Sequence, residues 1–372
     1  MQSIVSIVSY TFLPAKTGGE KGIALFYKYL SRYCRLTCAG TRANGKPDGN
    51  YTLVPVFSSS PFRYINPFLV FRIRRVVKKA NAGFLEIEHP YFGWLGFIVS
   101  RITGTKLIVH SHNIEYARWK TIGKWWWPIM KGYEQFTHRK AHYNFFKTEE
   151  DRQSAIAAFG LNPACCTVIT YGIEDDKIPP DAERNRCQAM LRQQYGISEN
   201  ATLFLFNGSL NYSPNLLALQ ELLDKINPLF EKQGRPYKLL ICGKGLPEPM
   251  NGLKDYASHN VVYAGFVDDI SIYFKGADVF VNPVTEGGGI QTKLVEALSY
   301  NLTVISSRKG ATGIPLTVTG DKLQVVDNND PQSFARAMAS VRTDSDLPVA
   351  FFEHFNWDNI AAKASRFLAG DR

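Results

Sequence analysis

A glycine-rich loop followed by a charged helix is the stretch of this sequence best suited to binding chemistry. Glu286 and three consecutive glycines lead into a predicted helix over residues 292–300, which carries Lys293 and Glu296. A glycine turn lets the backbone bend sharply, and the helix N-terminus after it presents free N–H groups and the positive end of the helix dipole. Lys293 and Glu296 are three residues apart and share one helix face. A cation beside an anion site, with a carboxylate one turn further on, suits a nucleotide diphosphate and its ribose hydroxyls.

Short apolar runs flank this loop and predict the strands that position it. Residues 277–283 and 303–306 have the composition of buried parallel strands. Further strands in the second half of the chain are predicted over residues 202–207, 238–243 and 261–266. Glycine-containing turns follow the first two of these, and ligands of open α/β sheets bind at the carboxyl ends of strands. The turn residues are therefore predicted to lie near the same ligand.

The segment GGGIQTKLVEAL, followed by VIS and by Gly310 and Gly313, resembles the donor-site signature of glycosyltransferase family 4, whose fold is called GT-B. Residues 203–215, 239–247 and 261–281 are also similar to segments of this family, so the resemblance covers nearly all of the second half. The alternative is an unrelated β-α-β crossover with a glycine-rich turn. Many family members carry two glutamates with seven residues between them. Here Gly288 occupies the first position and Glu286 lies two residues early, which leaves the role of Glu286 and the sugar specificity open.

The resemblance implies that the second half binds an activated nucleotide sugar. A UDP or GDP sugar is expected as a substrate, with no cofactor and no divalent metal. Lys244 and Lys293 are expected to neutralise the diphosphate, and Glu296 to bind the donor ribose. A solvated turn lysine is the alternative for Lys244, and an exposed helix glutamate for Glu296. The expected donor-binding residues are Gly18, Gly19, Gly208, Ser209, Lys244, Phe266, Val267, Gly288, Gly289, Ile290, Gln291, Thr292, Lys293 and Glu296.

A histidine loop in the first half supplies the candidate catalytic side chain. His112 comes directly after a predicted strand over residues 106–110 and resembles the family's histidine loop, often His-Asp, with Asn113 in the place of the acid. By resemblance, His112 orients or polarises the reacting centre, and Glu286 is the second catalytic candidate. A histidine satisfied by core hydrogen bonds is the alternative for His112, and His110 is expected to be structural. The expected acceptor-side residues are His89, Asn113, Glu115 and Arg118.

The net charge of +10 is carried by the first half of the chain: residues 1–180 have a net charge of +12, and residues 181–372 of −2. This asymmetry favours an anionic partner. Within residues 67–82 and 118–132, cations are mixed with aromatic and aliphatic residues, which suits an anionic membrane surface. An ordinary half-buried helix is the alternative, and nucleic acid is disfavoured because no known nucleic-acid-binding motif is present. The residues expected at the membrane are Arg72, Arg74, Arg75, Lys78, Lys79, Trp125, Trp126 and Trp127.

The length of 372 residues predicts two domains. Strands alternate with helices throughout, which predicts an α/β fold of two Rossmann-like, doubly wound parallel sheets, facing a cleft as in GT-B proteins. We expect an acceptor-side domain over residues 1–172, a linker over 173–186 and a donor domain over 187–350. By resemblance, a helix within 351–372 crosses back to the first domain. No apolar run of 18 residues is present, and the six cysteines form no CxxC pair, so cytoplasm is expected, with peripheral association at the inner membrane face.

The resemblance implies a glycosyltransferase that moves a sugar from a nucleotide sugar to a saccharide or lipid-linked acceptor, with retention at the anomeric carbon. A role in cell-surface polysaccharide or glycolipid assembly is expected. Two alternatives remain: a nucleotide-sugar epimerase of the same fold, and a non-catalytic binding protein, which the missing first glutamate permits. A Rossmann dehydrogenase is disfavoured because no strand is followed by GxGxxG with an acidic residue about 20 positions further on.

Overall fold

The computed structural model describes residues 1–370, which form two compact units. The N-terminal unit comprises Met1–Glu174 and the segment that begins at Phe355, and the C-terminal unit comprises Asp175–His354. Each unit has its own parallel β-sheet, with seven strands in the N-terminal unit and six in the C-terminal unit. The predicted fold class, two doubly wound α/β sheets, is confirmed. No helix within residues 1–370 combines the length and the apolarity needed to cross a membrane.

Within residues 1–370, thirteen strands pair in two sheets, with a reversal of strand order in each. The N-terminal sheet has the order β3-β2-β1-β4-β5-β6-β7, and the C-terminal sheet the order β10-β9-β8-β11-β12-β13. Ligand sites of such sheets lie where the order reverses, outside the carboxyl ends of the two central strands. The strands are β1 (Ser3–Ile7), β2 (Arg35–Thr41), β3 (Thr52–Phe57), β4 (Phe84–Glu88), β5 (Lys106–Ser111), β6 (Tyr143–Phe146), β7 (Cys166–Val168), β8 (Thr202–Asn207), β9 (Tyr237–Cys242), β10 (Val261–Gly265), β11 (Val279–Asn282), β12 (Thr303–Ser307) and β13 (Leu323–Val326).

Helices connect the strands of each sheet. A π-helical turn at Leu222–Ile226 joins α8 to α9. The helices are α1 (Gly18–Leu30), α2 (Leu69–Lys79), α3 (Gly93–Thr103), α4 (Glu115–Thr121), α5 (Trp127–Lys140), α6 (Glu149–Phe159), α7 (Asp181–Tyr195), α8 (Ser213–Glu221), α9 (Asn227–Glu231), α10 (Ile270–Gly276), α11 (Thr292–Ser299), α12 (Leu316–Thr319), α13 (Pro331–Ser340), α14 (Val349–Phe355) and α15 (Trp357–Ala369).

Local sequence sets the starts of two helices. α1 begins at Gly18, where Thr17 and Glu20 form a reciprocal capping box around its first turn. α7 begins at Asp181, inside the segment expected to be a linker, because Pro180 precedes it and two acidic residues in its first turn favour a helix N-terminus.

The last helix belongs to the N-terminal unit. Trp357 at the start of α15 is fully buried, with its ring 5.4 Å from that of Tyr171 and 6.4 Å from that of Phe26. Gly172 lies against this indole, where a Cβ atom would come within 2.6 Å of the ring. Ile173 joins the same contact, since its N–H donates to the carbonyl of Phe355. The C-terminal helix is therefore anchored to the end of the segment that follows β7.

Candidate functional site

The donor-loop residues of the C-terminal unit gather at the reversal of strand order between β8 and β11. Gly208 and Ser209 directly follow β8, while the loop from Glu286 to Gln291 connects β11 to α11. Gly287 and Gly289 adopt positive φ angles of 96° and 69°, which glycine adopts at little cost. The glycine turn and helix start predicted from the sequence are therefore present at the carboxyl edge of the sheet.

The loops after β8 and β9 touch through their backbones. Gly243 has a φ of 151°, and a Cβ atom at this position would lie 1.9 Å from the carbonyl oxygen of Gly208. Its N–H donates to the carbonyl of Gly265 at the end of β10. Only a glycine allows this close approach. Lys244 follows with an exposed side chain, and Phe266 is 67% exposed after β10 with Val267 partly buried beside it.

Lys293 is held in place before any ligand arrives. Its ammonium group donates to the carbonyl of Asn207 at 3.1 Å and to the side-chain oxygen of Asn215 at 3.0 Å. It also lies 5.2 Å above the ring of Phe206. Desolvation lowers the pKa of Lys293 to about 7. Within residues 1–370 no carboxylate forms a hydrogen bond or ion pair with Lys293, and such an arrangement suits an anion supplied by a ligand.

Asn215 is a site residue that the sequence reasoning did not select. Its amide group donates to the carbonyl of Ser209 while its oxygen accepts from Lys293, so it links the loop after β8 to α11. Asn215 lies in the segment 203–215 that resembles the family, and this resemblance was the sequence feature that could have identified it.

Glu286 is half-buried and makes no hydrogen bond or ion pair among the described residues. Glu296 is half-buried on α11. Gly288, Ile290, Gln291 and Thr292 complete the loop and the helix start.

The N-terminal unit places a cluster of histidines and glutamates at the carboxyl ends of β4 and β5. Glu88 and His110 are paired across these strands, and both are buried. One carboxylate oxygen of Glu88 accepts from His110 Nδ1 at 3.2 Å, and the other accepts from His112 Nε2 at 2.6 Å. Despite burial, which acts in the opposite direction, the two imidazoles hold the pKa of Glu88 well below its usual range. Glu88 is therefore an ionised carboxylate shared by two histidines.

His89 bridges this cluster to α4. Its backbone has φ 62° and ψ 160°, a conformation sparsely populated by non-glycine residues and typical of functional sites. Its ring stacks on that of His112 at 4.3 Å, and its Nδ1 pairs with Glu115 at 3.2 Å. Tyr10 approaches the other ring nitrogen at 3.3 Å. The strained backbone is fixed by contacts on both sides of the ring.

Glu115 is fully occupied by its neighbours. In addition to His89, its carboxylate accepts from Tyr91 at 2.8 Å and from Arg118 at 3.3 Å. Burial raises the pKa of a carboxyl group, but the contacts with His89, Tyr91 and Arg118 lower that of Glu115 to about 2. Glu115 thus stays ionised and orients His89. Asn113 accepts from the Ser111 hydroxyl through its backbone carbonyl, and its side chain is half-buried.

Two further charged residues under the cluster were missed from the sequence. The Glu86 carboxylate is buried on β4, two residues before Glu88; His110 Nδ1 lies 3.6 Å from it, it has no hydrogen bond, and burial raises its pKa. The ammonium group of Lys147, after β6, is also buried without a hydrogen bond, and desolvation lowers its pKa to about 8. Glu88, His110 and His112 offer atoms within 4.8 Å of one another, a spacing that a metal ion can span. Because each Glu88 oxygen already accepts an imidazole hydrogen, a hydrogen-bond network accounts for this spacing.

Gly18 and Gly19 form the first turn of α1, the helix that follows the central strand β1 and is capped by Thr17. A Cβ atom on Gly19 would meet nothing within 4 Å. The glycine pair follows β1, His89 follows β4 and His112 follows β5. These three strands are adjacent in the sheet. The expected groups of each unit are brought to the carboxyl edge of its own sheet.

Two family models match the chain. The model described as "Glycosyltransferase Family 4" matches residues 17–177, and that described as "Glycosyl transferases group 1" matches residues 201–344. A GDP-mannose-dependent alpha-(1-6)-phosphatidylinositol monomannoside mannosyltransferase of Mycobacterium tuberculosis is 27% identical over 332 residues, 82% of this chain and 80% of that protein. An uncharacterized 44.6 kDa protein in the cps region of Klebsiella pneumoniae is 28% identical over 138 residues, 36% of this chain and 35% of that protein.

Solved structures share the fold. HepE of Anabaena, solved in complex with UDP, has a TM-score of 0.72 and 14% sequence identity, with 100% of both chains covered. A sucrose-phosphate synthase from Thermosynechococcus elongatus has a TM-score of 0.71 and 15% identity over 100% of this chain and 99% of that one. At these identities the likeness establishes the GT-B architecture of the two sheets.

Proposed function

Since the chain belongs to glycosyltransferase family 4 and is a glycosyltransferase, we propose that it transfers a sugar from a nucleotide-diphosphate sugar to a saccharide or lipid-linked saccharide. The observation that carries the donor class is the preorganised Lys293, held by Asn207 and Asn215 beside a glycine turn and a helix N-terminus. This arrangement suits a diphosphate, because an ammonium group and free backbone N–H groups both stabilise its charge. Glu296 would bind the ribose, and Phe266 with Val267 would contact the base.

The sugar nucleotide is a UDP or GDP sugar in this proposal. The Mycobacterium relative is named as GDP-mannose-dependent, and the Anabaena structure holds UDP. The charge that a divalent cation would otherwise bring is supplied by the α11 N-terminus, Lys293 and Lys244. We therefore propose transfer without a metal ion or cofactor, and with retention of the anomeric configuration.

The acceptor belongs to the N-terminal unit in this proposal. His112 would contact the reacting sugar, His89 and Arg118 the acceptor, and Glu115 would act through His89. The relative in the Klebsiella cps region and the mycobacterial phosphatidylinositol mannoside enzyme favour an acceptor in cell-surface polysaccharide or glycolipid assembly. The buried histidine–glutamate cluster is also the kind of group an epimerase would need. Product analysis without acceptor separates the two activities.

An anionic membrane surface is the proposed partner of α2. Leu69, Ile73 and Val77 face the core, whereas the cations of this helix are all exposed, and Phe68 and Phe71 are about 70% exposed among them. Arg74, Arg75, Lys78 and Lys79 have no acidic partner among residues 1–370. Basic side chains near a negative leaflet are worth about 1 kcal/mol each. Trp125 is exposed, but Trp126 and Trp127 are half-buried against Trp119 and Tyr116, so they contribute less than the sequence suggested.

The donor proposal is tested by thermal shift of the full chain with UDP, GDP, ADP, UDP-glucose and GDP-mannose, with and without magnesium. A ligand that binds only the folded state raises Tm by mass action. We expect one nucleotide to raise Tm without magnesium, and Glu296→Ala to weaken that shift while leaving the unliganded Tm unchanged. No shift with any nucleotide at millimolar concentration would refute the donor site. Anomeric analysis of the transfer product by NMR then tests retention.

The membrane proposal is tested by flotation with vesicles of phosphatidylglycerol and phosphatidylcholine. We expect binding to the anionic vesicles, and its loss in a variant with charge reversal at Arg74, Arg75, Lys78 and Lys79. Reversal of Arg186, Lys232, Arg235 and Lys254, four exposed cations of the C-terminal unit, is the matched control. If both variants and the wild type bind the vesicles equally, the membrane proposal is wrong and α2 is an ordinary half-buried helix.

A further inference from the structure

The hydrogen bond between Glu88 and His112 determines which nitrogen of the His112 ring carries the hydrogen. Glu88 lies at the end of β4, and its carboxylate spans the Nδ1 of His110 on β5 and the Nε2 of His112 just after β5. The side chains of Glu88, His110 and His112 are 0%, 1% and 11% exposed. An ionised carboxylate can only accept, so each of these imidazole nitrogens must carry a hydrogen. For His112 the hydrogen is therefore on Nε2.

The remaining ring nitrogen of His112 has no hydrogen-bond partner among residues 1–370. The charges that face the ring keep it neutral: burial lowers the pKa of His112 well below its usual range, and His89 stacked at 4.3 Å and the nearby Lys147 act in the same direction, against Glu88. A neutral imidazole with a hydrogen on Nε2 has a lone pair on Nδ1. The nitrogen left for a ligand is thus an acceptor.

We propose that Glu88 is a positioning residue that locks His112 in its Nε2–H tautomer, so that Nδ1 accepts a hydrogen bond from a hydroxyl group of the bound substrate. This rests on the proposed function, in which His112 contacts the reacting sugar. The proposal defines the chemistry of that contact. Nδ1 of His112 binds a hydrogen-bond donor, such as a sugar hydroxyl, and has no hydrogen to donate to a phosphate oxygen. Phosphate recognition falls to the C-terminal unit.

The tautomer is measured directly by nitrogen-15 NMR of the full chain labelled at its seven histidines, with His112 assigned from a His112→Gln variant. We expect a pyrrole-like Nε2 and a pyridine-like Nδ1 in the unliganded wild type. In Glu88→Gln, whose amide can also donate, we expect a second population with the hydrogen on Nδ1. Glu86→Gln, two residues earlier on β4, contacts His110 and not His112; it is the matched control and should keep the wild-type signals of His112.

Kinetics provide the second measurement, with UDP-glucose and GDP-mannose as the donor probes. In this proposal the contact orients the sugar at the reacting centre, where misplacement costs about 10²-fold in rate, so Glu88→Gln should lower kcat by about 10²-fold with little change in donor KM. Glu86→Gln should keep kcat within a few-fold. A wild-type His112 that is protonated on Nδ1, or unprotonated on Nε2, would overturn the proposal, as would a Glu88→Gln variant with the wild-type tautomer and kcat.

The experiments distinguish failure of the tautomer proposal from failure of the proposed sugar transfer. The ring signals are recorded without substrate, so they decide the tautomer even if neither donor is turned over, an outcome that would count against the proposed function alone. If Glu88→Gln does not fold, the wild-type signals still decide, because the tautomer assignment requires the hydrogen on Nε2 in the native protein. Turnover by the wild type together with a protonated Nδ1 would overturn the role of Glu88 and leave sugar transfer intact.

Discussion

Donor binding should take up a proton at Lys293. Desolvation lowers the pKa of this ammonium group to about 7, so the neutral form of Lys293 is populated near neutral pH. A diphosphate beside the ammonium group favours its charged form and raises the pKa toward the usual value for lysine. Binding is then linked to protonation, and the affinity must fall as the pH rises above the pKa of the free protein.

The size of the effect follows from these two pKa values. If the bound pKa lies about two units above the free one, linkage predicts a dissociation constant about fivefold higher at pH 8 than at pH 7. Proton uptake should be about half a proton at pH 7 and about 0.8 at pH 8. The sign is fixed, because uptake on binding means that the proton is a co-ligand. A bound pKa that rises further changes these figures only slightly within this interval.

Isothermal titration calorimetry with UDP-glucose and GDP-mannose, in buffers of different ionisation enthalpy, measures both quantities. The diphosphate of a sugar nucleotide does not itself titrate between pH 7 and 8, so the uptake reports on the protein. Lys293→Gln should bind more weakly and lose the proton uptake. Lys244→Gln, at the exposed lysine of the neighbouring turn, should keep it. Wild-type binding without proton uptake, or equal uptake by Lys293→Gln, would refute the reasoning.

Three further substitutions test the packing and the base site. Trp357→Ala empties the site where α15 joins the N-terminal unit and should lower the free energy of unfolding by about 3–5 kcal/mol in denaturant titrations; a loss below about 1 kcal/mol would contradict the anchoring of α15. Phe266→Ala should weaken nucleotide binding severalfold without changing Tm, because the ring is 67% exposed; unaltered affinity would remove Phe266 from the site. Gly243→Ala should lower Tm by several degrees, because its Cβ would collide with the Gly208 carbonyl; an unchanged Tm would show that the two loops can separate.

The donor loop was predictable because its signal is local. The apolar run of β11, the glycine turn and the helix spacing of Lys293 and Glu296 lie within about twenty consecutive residues, and each has a distinct backbone requirement. The family was identified from the resemblance of this stretch, and the two doubly wound sheets were predicted from the alternation of strands and helices along the chain. Short edge strands such as β7 and β13 were not predicted in place, because three or four residues carry too little periodicity to distinguish them from a turn.

The charged cluster of the N-terminal unit was not predictable in the same way. Glu88 and His110 are 22 positions apart, and only the register of β4 against β5 brings them side by side. In the sequence, FLEIE is a strand with two acidic residues, and alternation would have assigned both to solvent. Burial on both faces of a parallel sheet cancels that rule. His112 was selected by resemblance, while the carboxylate that orients it was visible only in three dimensions.

The two units therefore handle charge in opposite ways. The N-terminal cluster contains its own counter-charges: Glu88 is shared by two imidazoles, and Glu115 is held by His89, Tyr91 and Arg118, so its protonation states are set before substrate arrives. In the C-terminal unit, Lys293 contacts neutral oxygens, and its charge is completed only by an anionic ligand. In the proposed mechanism, His112 is already a hydrogen-bond acceptor and orients the substrate. Lys293 gains its proton when the anionic donor binds and so contributes to donor affinity. Activity and donor affinity should accordingly respond to different substitutions: Glu88→Gln should act on kcat, and Lys293→Gln on donor binding and its pH dependence.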